Sequence, residues 1–302
     1  MRKEILVPLV FLGCLWIPQF VQAHESLFGY SYTTDTLPKG RWEFEQSTNG
    51  KYGKNHGSYV NSLFRTEVEY GVTDNFQSAF YVNSRHVYAN KNNHDGTTGG
   101  ENIPDLDGRR ESYNKFKFET ISLEFIKRIL SPYTHPIGFA LYLEPAWGPD
   151  KYSIEPKLIF QKNFLEDRLV LAVNNTWEIE WEKEIEAEEG EPEKKDWEKE
   201  MEFENTIGLS YRFADRWFGG VEFRNHNEFS SFSLRDIEHN AYFLGPNVHY
   251  ASKNFWWTGT VLFQLPFAKG YTTKQQNVID GGKIFGKEHE SVEFRLKLGW
   301  NF

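Results

Sequence analysis

The eleven residues that end the chain, Val292-Glu293-Phe294-Arg295-Leu296-Lys297-Leu298-Gly299-Trp300-Asn301-Phe302, place an apolar side chain at every second position. A strand repeats every two residues, so Val292, Phe294, Leu296, Leu298, Trp300 and Phe302 share one face, and Glu293, Arg295 and Lys297 the other. A wall between lipid and a wet interior suits both faces. The edge of a soluble sandwich carries a similar alternation, so the rest of the chain has to decide between the two.

The amino terminus reads as a secretory leader over residues 1–23: basic Arg2 and Lys3, an apolar stretch from Ile5 to Phe20, and small-residue spacing at Val21-Gln22-Ala23. No later apolar run approaches the ~18 residues that a spanning helix needs. The only cysteine, Cys14, falls inside this leader, so disulfides are excluded from the processed chain. Hydrophobic content of 39% and mean hydropathy of −0.62 argue against a helical membrane protein. They are compatible with a barrel, where only alternate residues of each ~10-residue strand meet lipid. An aromatic share of 17% suits interfacial girdles.

Alternation and turn signals together predict strands near 41–49, 59–70, 76–88, 115–127, 137–147, 152–163, 168–182, 197–213, 216–228, 239–250, 255–265 and 289–302. The fold class is all-β: a transmembrane antiparallel β-barrel of about twelve strands, an up-and-down meander over residues 41–302. Twelve is even, as a chain with both ends in the periplasm requires. Connections alternate between short ones, such as Gly71 to Asn75 and Ala214-Asp215, and long ones, such as 89–114, 183–196 and 266–288. That topology puts Trp42, Trp217, Trp256, Trp257 and Trp300 at the periplasmic rim and Trp147, Trp177, Trp181 and Trp197 at the outer rim. One strand changes phase between Phe116 and Phe118 and the set Ile121, Leu123 and Phe125, which predicts a bulge near Glu119. Residues 24–40, with Phe28, Tyr30 and Tyr32 in alternation, would break parity as a thirteenth spanning strand. They are expected in the periplasm or folded into the lumen as a partial plug.

The inward phase is dense in charge: Glu43, Glu45, Arg65, Glu67, Glu69, Arg85, Glu124, Glu144, Glu155, Lys157, Arg212, Glu222, Arg224, Arg295 and Lys297. Barrel closure is expected to bring Lys297 and Arg295 near Glu43 and Glu45, with Arg65 on the following strand. Such groups form either an ion-pair network filling the interior or an electrostatic filter around an aqueous path. Twelve strands lie between barrels filled by side chains and those that leave a channel.

Residues Glu178 to Glu204 hold fourteen Asp or Glu against four Lys, a net charge of −10 that exceeds the −9 of the whole chain. A solvated, self-repelling loop explains much of this run. Within it, Glu178, Glu180, Glu182, Glu200, Glu202 and Glu204 share the lumenal phase and predict an acidic outer mouth that favours cations. If the Ala214-Asp215-Arg216 turn fixes the register, His226 lies opposite Glu204 and Glu228 opposite Glu202. His226, Glu228 and His239 then form a candidate metal site, since imidazole with carboxylate suits transition metals. Asp105 and Asp107 make a fragment of a calcium-loop pattern, more simply read as a turn. His24, as a new amino terminus, is a candidate copper chelator.

No Gly-x-Ser-x-Gly elbow occurs. A rim hydrolase would have to draw on His86, His94, Asp95, Asp236 and His239, all in loops or at strand ends. Catalysis is not expected, no cofactor is called for, and the negative charge disfavours nucleic acid.

The segments Leu37-Pro38-Lys39-Gly40-Arg41-Trp42-Glu43-Phe44-Glu45-Gln46 and Glu69-Tyr70-Gly71-Val72-Thr73-Asp74-Asn75-Phe76-Gln77 resemble a family of Gram-negative outer-membrane barrels of unknown function. More distantly they are similar to barrels encoded with aromatic-degradation pathways. The resemblance runs from about Ser26 to Phe302, and the terminal Phe302 resembles the signal read by the barrel assembly machinery. It implies an outer-membrane location in contact with lipid, and passage of a small solute, and supplies no site residues. The reading is therefore a narrow channel or transporter for small solutes with an acidic outer mouth. The alternative is a plugged, non-conducting barrel whose outer loops bind a ligand, metal or partner; the third reading is a rim hydrolase.

Overall fold

The structure is a computed structural model that describes residues 26–53, 58–90, 112–186, 194–235, 237–267, 277–280, 283–286 and 289–302. The predicted leader, His24, His94, Asp95, Asp105, Asp107, Asp236 and the side chain of His239 lie outside the described residues.

The strands are β1 (Trp42–Tyr52), β2 (Ser58–Thr73), β3 (Phe76–Asn90), β4 (Ser112–Leu130), β5 (Gly138–Trp147), β6 (Lys151–Phe164), β7 (Leu169–Glu186), β8 (Lys194–Ala214), β9 (Trp217–Phe229), β10 (Ile237–Ala251), β11 (Phe255–Gln264), β12 (Asn277–Asp280), β13 (Lys283–Gly286) and β14 (Val292–Asn301). Among the described residues, twelve of them close into one antiparallel barrel. Each pairs with its neighbour in the chain, β11 pairs with β14, and β14 closes on β1 from Glu43↔Asn301 to Tyr52↔Val292. All twelve predicted strands are present. The hairpin β12–β13, inside the last long connection, was not expected, because two four-residue runs are too short to show a period.

The two-residue period holds where it was read. Along β5, residues 138, 140, 142, 144 and 146 are buried while Leu141, Leu143 and Trp147 are exposed. The phase change in β4 is a bulge: Asn83 pairs with Thr120 and Ser84 with Phe118, leaving Glu119 as the extra residue. Outward positions around the circumference carry Phe80, Phe116, Leu141, Ile154, Leu209, Val221 and Phe263, all exposed. So wide an apolar surface does not suit water and matches the lipid face of a barrel.

Aromatic contacts mark both rims. Trp42–Tyr70 at 4.5 Å, Phe255–Trp300 at 5.2 Å and Trp217–Trp257 at 5.9 Å lie at the short-turn end. Tyr152–Trp197 at 5.1 Å and Trp177–Phe203 at 5.2 Å lie toward the long-loop end. Trp256 is the exception. It is fully buried, points inward over Gly299 and donates its indole N–H to Glu43 at 3.0 Å. Trp256 and Trp257 are consecutive, so a pleated strand must send one of them inside.

Candidate functional site

Before it joins the wall, the chain runs through the inside of the barrel. Leu27, Phe28, Tyr30 and Leu37 are buried, and residues 26–40 belong to no strand. Their backbone groups still need partners, and inward side chains of the wall provide them. Glu222 of β9 accepts the N–H groups of Gly29 (2.8 Å), Tyr30 (2.8 Å) and Ser31 (3.0 Å), together with the Thr260 hydroxyl (2.6 Å). Asn174 of β7 bonds Tyr32 as a strand partner would, accepting its N–H at 2.5 Å and donating to its C=O at 3.0 Å. Gln161 accepts from Thr34 N–H at 2.7 Å, Gln77 from Leu37 N–H at 2.9 Å, and Asn247 donates to Leu27 C=O at 3.1 Å. The segment thus passes β10, β9, β7, β6 and β3 before leaving at the β2–β3 turn, where Lys39 N–H meets Asp74 at 3.0 Å.

Apolar contacts follow the same path. Leu27 and Phe28 pack on Val170 and Ala172, Tyr30 on Ala241, Phe243 and Leu262, and Tyr32 beside Ile126, Ala140, Tyr142 and Ile159. A Cβ at Gly208 would stand 2.6 Å from the Phe28 ring, so glycine there gives the ring its seat. Most of the wall anchors lie toward the short-turn ends of their strands, so the segment fills that half of the lumen.

Above it a cavity of about 220 Å³ remains, with Tyr30 and Tyr32 as its floor. Seven basic side chains line it (Lys51, Arg65, Arg85, Lys151, Lys157, Arg224 and Arg295), and seven acidic ones (Glu119, Glu144, Glu155, Glu178, Glu180, Glu202 and Glu204). Most are joined in pairs. Arg65–Glu144 lie at 2.5 Å, Arg85–Glu119 at 2.6 Å and Lys157–Glu155 at 3.1 Å, and Arg224 bridges Glu204 and Glu293, the latter at 2.6 Å. Lys151 holds Glu180 and stands 3.8 Å from Glu178. Cations also cap the floor: Arg295 over the Tyr30 ring at 4.2 Å and Lys157 over Tyr32 at 4.1 Å. Carboxylates gather on β7 and β8, with Lys51 and Arg295 facing them from β1 and β14.

The structure redistributes the residues singled out from sequence. Glu178, Glu180, Glu202 and Glu204 line the cavity, whereas Glu182 and Glu200 do not. The acidic strip is also not a bare one, because Lys151, Arg224 and His226 are set against it. Lys297 meets Glu45 at 3.5 Å. Arg295 does not reach Glu43 or Glu45: the register puts it opposite Asn49, where it donates to Gly29 C=O at 3.2 Å. Arg65 likewise crosses to Glu144. Glu43, Glu45 and Glu69 instead form a buried carboxylate group on β1 and β2, continued by Glu67 and Glu124.

His226 lies opposite Glu204 and Glu228 opposite Glu202. Glu202, His226 and Glu228 bring ligand-capable atoms within 4.8 Å of one another. His239 pairs with Glu228 along the backbone. His86, a hydrolase candidate, has Asn114 as its 2.8 Å partner, an amide that cannot act as the acid or base of a catalytic pair.

Sequence reading missed the anchoring roles of Glu222, Asn174, Gln161, Gln77 and Asn247. A signal existed for two of them: asparagine is depleted in strands, yet Asn174 and Asn247 stand at inward, buried positions.

The model of a family of unknown function, DUF6662, matches residues 20–302. No curated protein matches the chain in sequence. Among solved structures, an outer-membrane channel from Pseudomonas putida F1 superposes with a TM-score of 0.57 at 6% identity, covering 89% of this chain and 98% of that one. The β domain of the Bordetella autotransporter BrkA gives 0.52 at 9% identity, covering 87% and 100%. The translocator domain of the autotransporter NalP from Neisseria meningitidis gives 0.50 at 10% identity, covering 89% and 91%. At these identities the likeness is one of fold.

Proposed function

This chain belongs to the DUF6662 family, and we propose that it is an outer-membrane channel of a Gram-negative bacterium that admits small polar solutes through an outward-facing vestibule. The observation that carries the reading is the charged cavity between the loop end and the Tyr30–Tyr32 floor. Its volume of about 220 Å³ is below the ~300–1,000 Å³ of sites that enclose drug-sized ligands, so the solute is small. Carboxylates on β7 and β8 face Lys51 and Arg295, so a solute carrying both an amine and an acid group would be oriented across the lumen. Toward the rim the acidic excess grows through Glu182, Glu200 and Glu228, which favours cations at the mouth. The inner segment restricts flow to the periplasm, and its release widens the path.

The test is single-channel conductance of the chain from residue 24 in a planar bilayer under a salt gradient. Small, cation-selective steps are expected, growing when residues 26–36 are deleted. A folded barrel that stays electrically silent with and without the segment would overturn the channel reading in favour of a plugged barrel that binds at its outer loops.

A further inference from the structure

We propose that Glu202, His226 and Glu228 form a binding site for a zinc-class divalent cation at the vestibule mouth, with His289 as a fourth ligand from the last outer connection. The argument begins with register. Glu202 and Glu228 are direct cross-strand partners on β8 and β9, and like charges in that relation repel. The neighbouring guanidinium, Arg224, is engaged by Glu204 and Glu293. What stands between the two carboxylates is His226, buried, with Nδ1 3.7 Å from Glu202 and Nε2 3.7 Å from Glu228. The gap between Nε2 and Glu228 holds an ion bonded to each at the usual ~2.0–2.2 Å, and Glu202, whose carboxylate lies within 4.8 Å of the ligand atoms of the other two, completes the set by turning toward Nε2.

His226 is also oriented as a ligand would be. With Nε2 directed at the ion, Nδ1 faces Glu204 at 3.7 Å. A carboxylate behind the far nitrogen fixes the tautomer and strengthens the bond to the metal. Arg224, which lies 3.1 Å from the same Nδ1, would then turn wholly to Glu204 and Glu293.

The fourth group comes from elsewhere in the chain. His289, just before β14, is buried with its ring centroid 5.2 Å from that of His226, at an interplanar angle of 81°. Two imidazoles and two carboxylates suit zinc and its neighbours, whereas calcium takes six to eight oxygens. The carboxylates are 30% and 22% exposed, which leaves the site open to arriving ions. Occupancy would tie His289 to β8 and β9 beside the vestibule. This inference does not depend on conduction.

The test is a titration of Zn²⁺ into the untagged, folded barrel in detergent, in excess Ca²⁺, with bound metal counted after gel filtration. One Zn²⁺ per chain is expected, weakened at least tenfold by Glu228→Gln and by His289→Gln and abolished by His226→Ala. Co²⁺ in place of zinc should give the visible bands of a four-coordinate nitrogen and oxygen site. Absence of zinc uptake, or equal affinity in the parent, Glu228→Gln and His289→Gln barrels, would overturn the site. Those two variants alter partly exposed or loop groups, so the decision stands even if His226→Ala fails to fold.

Discussion

Glu222→Gln is the substitution that best separates the inner segment from the barrel that holds it. Four donors converge on the Glu222 carboxylate: Gly29 N–H and the Thr260 hydroxyl on one oxygen, Tyr30 and Ser31 N–H on the other. Glutamine keeps the shape but only one oxygen. Its best placement leaves that oxygen with Tyr30 and Ser31 and turns the NH₂ toward Thr260, which can rotate its hydroxyl to accept. Gly29 N–H is then stranded, at a cost of about 1–3 kcal/mol, and the two retained bonds lose their charge assistance, about 1 kcal/mol each. Docking is weakened by roughly 3–5 kcal/mol in total, a rise of roughly a hundredfold to a few thousandfold in the undocked population at ~1.4 kcal/mol per tenfold. The only cysteine lies in the predicted leader, so Ser31→Cys gives a single thiol at a buried position. Its maleimide labelling rate reports undocking, and single-channel recording reports the pore. Faster labelling with larger or longer openings is expected in Glu222→Gln. Unchanged labelling and conductance, in barrels that circular dichroism shows to be folded, would refute the assignment of Glu222 as the main anchor.

Two further substitutions probe the seat of the segment and the charge of the vestibule. Gly208→Val places methyl groups where the Phe28 ring now sits, with the Cβ alone 2.6 Å from it; overpacking of about 1–3 kcal/mol should speed Ser31→Cys labelling while strand content stays the same, and a parental rate would count against the Phe28 seat. Lys151→Gln removes the partner of Glu180, whose side chain is 4% exposed; breaking a buried pair of this kind costs about 3–5 kcal/mol, so the urea midpoint should fall and the reversal potential move toward cations, and the pairing is irrelevant if neither changes.

The barrel was legible because a wall with two different solvents imposes its period on every strand, and the slip of that period at Glu119 showed in the sequence too, whereas the shifts at the strand ends, such as that between Gly71 and Thr73, did not. The pairing of His226 with Glu204 was met, but not through the turn alone: Ala214 pairs with Trp217 across Asp215 and Arg216, which by itself would set His226 against Asn205, and a one-residue bulge at Phe213 brings His226 back opposite Glu204. What sequence could not supply was any relation across the lumen. Glu222 looks like every other inward glutamate until residues 29–31 are laid against it. Arg65 was placed with the carboxylates of β1 because β2 follows β1 in the meander, but its guanidinium reaches Glu144 on β5. Strand order fixes which backbones are neighbours; long side chains in a narrow lumen choose partners by chord rather than by order. Trp256 went astray by composition, since an aromatic at a rim suggests a girdle although the pleat put this one inside.

The way the segment is held also bears on how the molecule works. Had residues 26–37 joined the sheet, their release would have exposed two unpaired strand edges, each costly away from water. Instead they are bonded by side chains of Glu222, Asn174, Gln161, Gln77 and Asn247, while β1 and β14 close the wall without them. Were the segment to leave, as the proposed channel requires, those side chains would face water and find it a substitute partner, so the loss would be limited to the net worth of each bond, about 0.5–1.5 kcal/mol for the neutral ones. Ordering the segment's backbone opposes docking by about 1–2 kcal/mol per residue. Apolar burial of Leu27, Phe28, Tyr30 and Leu37 and the Glu222 contacts must make up the difference. A docking equilibrium balanced in this way is one that a single carboxylate can tip, whereas the closed ladder around it is not.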